Sequence, residues 1–144
     1  MGIVKNFNKS SKLEIFLKNY FDLASVGYYD DNFDGSYCLY FKLENDICVE
    51  QRIFIKQNAY KCYTTLALEI KDTEKLDKLC IIVNKVNFEI DYGNFEIDYQ
   101  KGEIRFKSFY EPIDNIYMED LDRLIGYPRQ VINQYGRGLV EFIS

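Results

Sequence analysis

Apolar residues recur along this chain at two different periods, and the changes of period mark its elements. Over residues 10–24 the spacing is helical: Leu13, Phe16, Leu17, Tyr20 and then Leu23 or Ala24 fall on one side. Ser11, with Glu14 three residues on, forms an S-x-x-E capping box that predicts a helix start at the serine. The period then drops to two. Over 36–43, Tyr37, Leu39, Phe41 and Leu43 share a face. Over 47–57 the same face is continued by Ile47, Val49, Ile53 and Ile55, while Glu50, Arg52 and Lys56 point the other way. Over 59–70 it is continued by Tyr60, Cys62, Leu66, Leu68 and Ile70. Short polar turns at Glu44-Asn45-Asp46 and Gln57-Asn58 join these runs. Alternating runs with tight turns predict an antiparallel meander with one wet face.

Helical spacing returns after Asp72-Thr73, where either residue can cap. Leu76, Leu79, Cys80, Val83, Val86 and Ile90 mark this second helix, and Gly93 suits the position just past its end. A hairpin follows. Phe95, Ile97 and Tyr99 face Ile104, Phe106 and Ser108 across a predicted Lys101-Gly102 turn. That register pairs Tyr99 with Ile104 and Ile97 with Phe106, and sets Asp98 against Arg105 and Glu96 against Lys107. The pentapeptide FEIDY occurs at 88–92 and at 95–99; the first copy is expected to end a helix and the second to form a strand. From Met118 a last helix carries Leu121, Leu124, Ile125, Val131, Ile132, Tyr135, Leu139 and Phe142. Its apolar phase runs across Pro128, which predicts one helix kinked there rather than two. The order α-β-β-β-α-β-β-α gives an α+β fold, an antiparallel sheet with helices packed on it.

Composition adds limits to this picture. The 144 residues are 47% hydrophobic and 28% charged, which is a folding composition of one domain's length, expected to span 1–144. There is no His, which removes Ser-His-Asp and Cys-His catalysis and HExxH zinc sites. No nucleophile elbow, phosphate loop or dinucleotide fingerprint is present, so no enzyme activity and no cofactor are predicted. Carboxylate groups do occur together, at Glu96 with Asp98 and at Glu119 with Asp120 and Asp122. The first pair has basic cross-strand neighbours, and the second group suits the first turn of a helix.

Lys and Arg number 18 against 23 Asp and Glu, a net charge of −5. Lys5, Lys9, Lys12 and Lys18 are too sparse to make a nucleic-acid footprint, so nucleic acid is not an expected partner. Cys38, Cys48, Cys62 and Cys80 contain no CxxC pair and, without His, no mixed zinc site. They read as free thiols of a reducing compartment. With no signal pattern and no apolar run of about 18 residues, the expectation is a cytoplasmic protein without membrane contact.

The stretch LCIIVNKVNFEIDYGNFEIDYQKGEIRF, from Leu79 to Phe106, resembles the YbjN-domain family, whose fold is similar to that of type III secretion chaperones. The matching features are Asn84 and Asn87 on a helix, then Gly93 and Phe95 opening a strand. Asp98, Gly102, Ile104 and Phe106 follow through the turn into a second strand. Outside this stretch the match is in element order. The resemblance implies the α-β-β-β-α-β-β-α architecture and a bacterial, non-enzymatic role as a regulator or as a binder of client proteins, with a homodimer as one assembly. It carries over no catalytic residue. Asn84 and Asn87 are its polar helix positions, able either to contact a partner or to bond to a neighbouring strand.

Two constellations stand apart from the resemblance. Asp30 to Gly35 reads D-x-N-x-D-G, as a calcium loop begins, but Phe41 occupies the place of the bidentate Glu, so a polar turn is expected. Aromatics are 17% of the chain, and Tyr28, Tyr29, Tyr40, Tyr63, Tyr92 and Tyr117 fall off the apolar phase. Tyr40, Phe54 and Tyr63 lie on the wet face of the first three strands, where they can form an aromatic stripe for a protein or peptide. The predicted activity is therefore protein binding, chaperone-like or regulatory, through a sheet face or helix groove. The other class is an inhibitor or immunity protein whose acidic surface neutralises a basic toxin or nuclease.

Overall fold

The computed structural model describes residues 2–43 and 46–143, with side chains from residue 12 onward. Helix α1 (Gly2–Leu23) leads into β1 (Tyr29–Asp30), β2 (Tyr37–Lys42), β3 (Cys48–Lys56) and β4 (Ala59–Leu66). Helix α2 (Thr73–Asn87), β5 (Asn94–Asp98), β6 (Glu103–Tyr110) and helix α3 (Met118–Ile143) complete the order. The strands form one antiparallel six-stranded sheet in the order β1-β2-β3-β4-β6-β5. The architecture is the α+β one anticipated, with the short edge strand β1 added. Two residues are too few to show a period.

All three helices cover the same face of this sheet. Leu13, Leu17, Tyr20 and Phe21 of α1 pack with Tyr37, Leu39, Ile53, Tyr60 and Leu121 in one cluster. Leu76, Leu79 and Val83 of α2 pack with Leu66, Phe95, Ile104, Phe106, Val131 and Leu139 in the other. The predicted core-facing phase of β3, β4 and β6 is the buried one. Tyr99, expected to join Phe95 and Ile97 on that face, lies past the end of β5 in the turn and is exposed. The opposite face of the sheet carries no helix among the described residues.

Several boundaries differ from the sequence reading. Helix α1 continues back through Ser11 to Gly2, so the serine is not its cap. Glu14 instead sits beside the Tyr37 hydroxyl and Lys18, which hold its carboxyl below the ordinary value. Phe21 takes the core position assigned to Leu23 or Ala24, and Leu23 is 76% exposed. Of the first predicted turn, Glu44 and Asn45 lie outside the described residues. Asp46 takes φ 62° and donates its N–H to Leu43 O at 3.0 Å.

Strand β4 stops at Leu66 because the chain then turns to meet the last hairpin: the Ile70 N–H donates to Gly102 O at 2.7 Å. Helix α2 is capped by Asp72, whose side chain accepts the Glu74 N–H. It ends at Asn87, before the first FEIDY copy, whose residues form turn and loop. Gly93 is therefore not a helix terminator. It opens β5 at φ +76°, where a Cβ would come within 2.6 Å of Lys107 O and 2.7 Å of the Phe106 ring.

The hairpin register is two residues from the predicted one. Ile97 pairs with Ile104, Phe95 with Phe106 and Glu96 with Arg105, leaving Asp98 opposite Glu103. A shift of two keeps every side chain on its face, so face parity alone could not separate the two registers. Asp98 is used by the longer turn, where it accepts the N–H groups of Gln100 and Lys101.

Helix α3 runs unbroken through Pro128. Proline cannot donate to the Leu124 carbonyl four residues back. Ser108 Oγ, from the core face of β6, donates to that carbonyl at 2.8 Å. Gln51 Nε2, from the core face of β3, donates to the next carbonyl, Ile125, at 2.9 Å and to Thr64 Oγ1 at 3.1 Å. Arg129 Nε donates to Gln51 Oε1 at 2.7 Å, and its guanidinium lies 4.8 Å from the Phe41 ring centre. Burial lowers the Arg129 pKa from its ordinary value. Ser108 thus meets the one carbonyl that proline must leave open, and Gln51 meets the carbonyl next to it. Among the described residues no buried side-chain nitrogen or oxygen lacks a partner.

Candidate functional site

The bare face of the sheet is built from the alternate positions of β2 to β6. Cross-strand register sets them in rows. One row runs Tyr40, Glu50, Thr65, Arg105 and Glu96; the next runs Cys38, Arg52, Tyr63, Lys107 and Asn94; a third runs Phe54, Lys61 and Phe109. Adjacent rows lie about 7 Å apart along the strands and neighbours within a row about 5 Å apart. Tyr40, Phe54 and Tyr63 all lie on this face, but not as a continuous stripe. Tyr40 stacks on Tyr29 at 5.6 Å between ring centres, and its hydroxyl donates to Glu50 at 3.0 Å. Phe54 and Tyr63 meet edge to face at 5.9 Å. Arg52 and Glu50 stand between the two aromatic pairs, a separation set by the register of β2 on β3.

Arg52 organises the upper part of the face. Its guanidinium meets Glu50 at 2.6 Å, Asp31 at 2.8 Å and Asp34 at 3.1 Å. The D-x-N-x-D-G loop is thereby folded onto the sheet edge. Asp34 also accepts from the Ser36 hydroxyl at 2.6 Å and the Ser36 N–H at 2.9 Å, and Asp31 accepts the Phe33 N–H at 2.9 Å. The Arg52 hydrogen bond is the main cause of the lowered Asp31 pKa, and the Ser36 hydroxyl is the main cause for Asp34. The carboxylates of this loop thus face a guanidinium. Among the described residues no three or more Cys, Asp or Glu side chains converge as metal ligands would.

The middle of the face holds a shallow concavity of about 670 Å³ lined by Arg52, Phe54, Tyr63, Glu103 and Arg105 among others. Arg105 lies 4.2 Å above the Tyr63 ring and pairs with Glu96 at 2.9 Å. A second depression, of about 550 Å³, adjoins it at the end of the sheet, between the β3–β4 turn and Phe109. The face therefore offers flat aromatic area and fixed charges.

Asn84 and Asn87 lie on the other side of the sheet, on α2. Asn84 is exposed. Asn87 Oδ1 accepts the Phe95 N–H at 2.8 Å, and Asn87 Nδ2 donates to the Phe95 carbonyl at 3.2 Å. An N–H given to Asn87 is not given to β6, so this amide caps the free edge of β5. The excess tyrosines also divide. Tyr28 packs 4.4 Å from Phe21 on the helical side, and Tyr92 meets Tyr127 at 6.1 Å while donating to Phe109 O. Tyr29, Tyr40 and Tyr117 are exposed. Lys61 and Phe109 were missed in the sequence, although strict alternation from Tyr63 and from Lys107 reaches both.

No family model matches the chain, and no curated protein matches it. Solved structures of similar shape exist. YbjN from E. coli, described as a candidate transcription regulator, superposes with a TM-score of 0.66 at 12% identity, over 85% of this chain and 89% of YbjN. The complex of ExsC with ExsE gives a TM-score of 0.55 at 10% identity, over 90% of this chain and 95% of that one. The fold is YbjN-like and chaperone-like. The described helices include none long and apolar enough to cross a membrane.

Proposed function

We propose that this chain is a non-enzymatic protein-binding module, chaperone-like or regulatory, that docks a protein or peptide partner on the bare face of its sheet. One observation carries the reading. All three helices cover one face, and the other presents Tyr40, Phe54, Tyr63 and Phe109 between fixed charges. Tyr40 is 53% exposed and Phe109 44%. Aromatic anchors within a polar surround are what protein interfaces use for most of their binding energy. A chain of similar fold, ExsC, is found in complex with a second protein, which supports the same use here. Asn84 and Asn87, one turn apart on α2 beside the β5 edge, would touch a partner that wraps round that edge.

The test is a comparison of the wild-type chain with a Tyr40→Ser, Phe54→Ser, Tyr63→Ser variant as bait in lysate of the host, at low and high salt. The variant alters exposed or half-buried positions, so it should keep its fold by circular dichroism. Proteins held by the wild type and lost by the variant are the expected result. Proteins held equally by both would contradict the proposal.

A further inference from the structure

Resting on the reading of the bare face as the docking surface, we infer that the segment it takes is acidic and carries apolar side chains. The charges on this face are unevenly used. Arg52 is saturated by Asp31, Asp34 and Glu50, and Arg105 is paired with Glu96. At the β3–β4 end, Lys56 and Lys61 have no carboxylate within ion-pair distance among the described residues. Among the described residues Lys107 has Glu96 alone, at 3.7 Å, and that carboxylate is already shared with Arg105. Lys61 stands directly between two rings, since it pairs with Phe54 on one neighbouring strand and Phe109 on the other. Lys56 Nζ lies 5.8 Å from the centre of the Phe54 ring. In a chain of net charge −5, this is a locally positive, aromatic surface with a depression of about 550 Å³ in it.

The alternation of ring and ammonium matches an extended segment in which Asp or Glu alternates with apolar side chains. Carboxylates would reach Lys56, Lys61 and Lys107, and the apolar side chains would lie on Phe54 and Phe109. A nucleic-acid strand fits less well. Its phosphates are continuous, and one leaving the lysines would meet Glu111 at the rim or Glu50 and Glu103 in the adjoining concavity. A basic target is disfavoured here for the opposite reason, since the three lysines would repel it.

The experiment is a titration of the isotope-labelled full chain, followed by amide NMR, with three probes. One is a short synthetic peptide rich in Asp, Glu and Phe, the second is the same peptide with Asn and Gln in place of the acids, and the third is a short oligo-dT strand. The acidic peptide is expected to shift the amides of Phe54, Lys61 and Phe109. Its affinity should fall roughly tenfold or more in a Lys56→Glu, Lys61→Glu variant, and should weaken with added salt. The spectrum of the free variant reports whether it remains folded, and Lys56→Gln, Lys61→Gln repeats the test with a milder change. Equal binding of the amide peptide at this face would overturn the acidic-segment inference and leave the docking face standing. Tighter binding of oligo-dT would overturn it in favour of a nucleic acid. Shifts confined to α1, α2 and α3 would overturn both the inference and the docking face. A face silent to all three probes would overturn the inference alone, the face still being tested by its aromatic variant.

Discussion

Gly102 sits at φ +64°, and a Cβ there would lie 2.1 Å from the Ile70 carbonyl oxygen, a main-chain atom that cannot swing away. Both the backbone conformation and the space require glycine. Gly102→Ala is expected to destabilise the fold by about 2–4 kcal/mol, read as a lowered urea midpoint. The glycine's role in a turn was legible from its place between two alternating runs. Its contact with Ile70 was not, because the strand pattern before residue 70 gives no sign that the chain breaks off at Leu66. Arg52 shows the same limit. Its place on the wet face follows from alternation, but the loop that returns to it follows from no local pattern. Arg52 supports a pH prediction. Asp31 and Asp34 have folded pKa values below the ordinary 3.8, so the stability that they contribute is complete above that value and is lost as pH falls through the lowered ones. In Arg52→Gln the Asp31 share should shrink to the part that comes from backbone N–H groups such as that of Phe33, while Asp34 keeps the part that comes from Ser36. Acid unfolding curves of the variant should therefore be shallower below about pH 4 than those of the wild type, and parallel curves would contradict this.

At the scale of elements, the rescue of α3 at Pro128 is the least regular feature and the most informative. Gln51, Thr64 and Ser108 interrupt the buried phases of β3, β4 and β6, and Pro128 interrupts a helix. Each is a violation when read alone. Ser108 compensates for the proline by supplying the donor that Leu124 lacks, and Gln51, held by Thr64, donates to the neighbouring Ile125 carbonyl. Ser108→Ala should cost roughly 1–3 kcal/mol in the wild-type chain, because a buried carbonyl is left open. In a Pro128→Ala background residue 128 regains an N–H for Leu124, and the same substitution should cost markedly less. Thermal unfolding of the four chains gives the coupling, and additive effects would contradict the account. The violations were visible in the sequence, but their pairing across residues 51, 108 and 128 was not. The hairpin fails for a different reason. Parity allowed both registers and the opposite charges favoured one two residues off, because Asp98 is used by the turn and Glu96 serves both Arg105 and Lys107.

For the whole molecule, the α+β order, the faces and the YbjN-like fold were readable from the alternation of periods and from the Leu79–Phe106 stretch. The placement of Tyr40, Phe54 and Tyr63 on one bare face followed from the same alternation. Their division into two clusters by Arg52 and Glu50 needed the register. Asn87 was named for its motif, and it serves to close the β5 edge. The broad face, with its uneven charge, is the surface on which we propose that the molecule meets a partner. The most direct measurement is site-specific photo-crosslinking in host cells, with a benzophenone amino acid replacing Tyr63 on the bare face or the half-buried Tyr135 on the helical side. The account predicts a protein adduct from position 63 and none from position 135. An adduct from position 135 alone would contradict it.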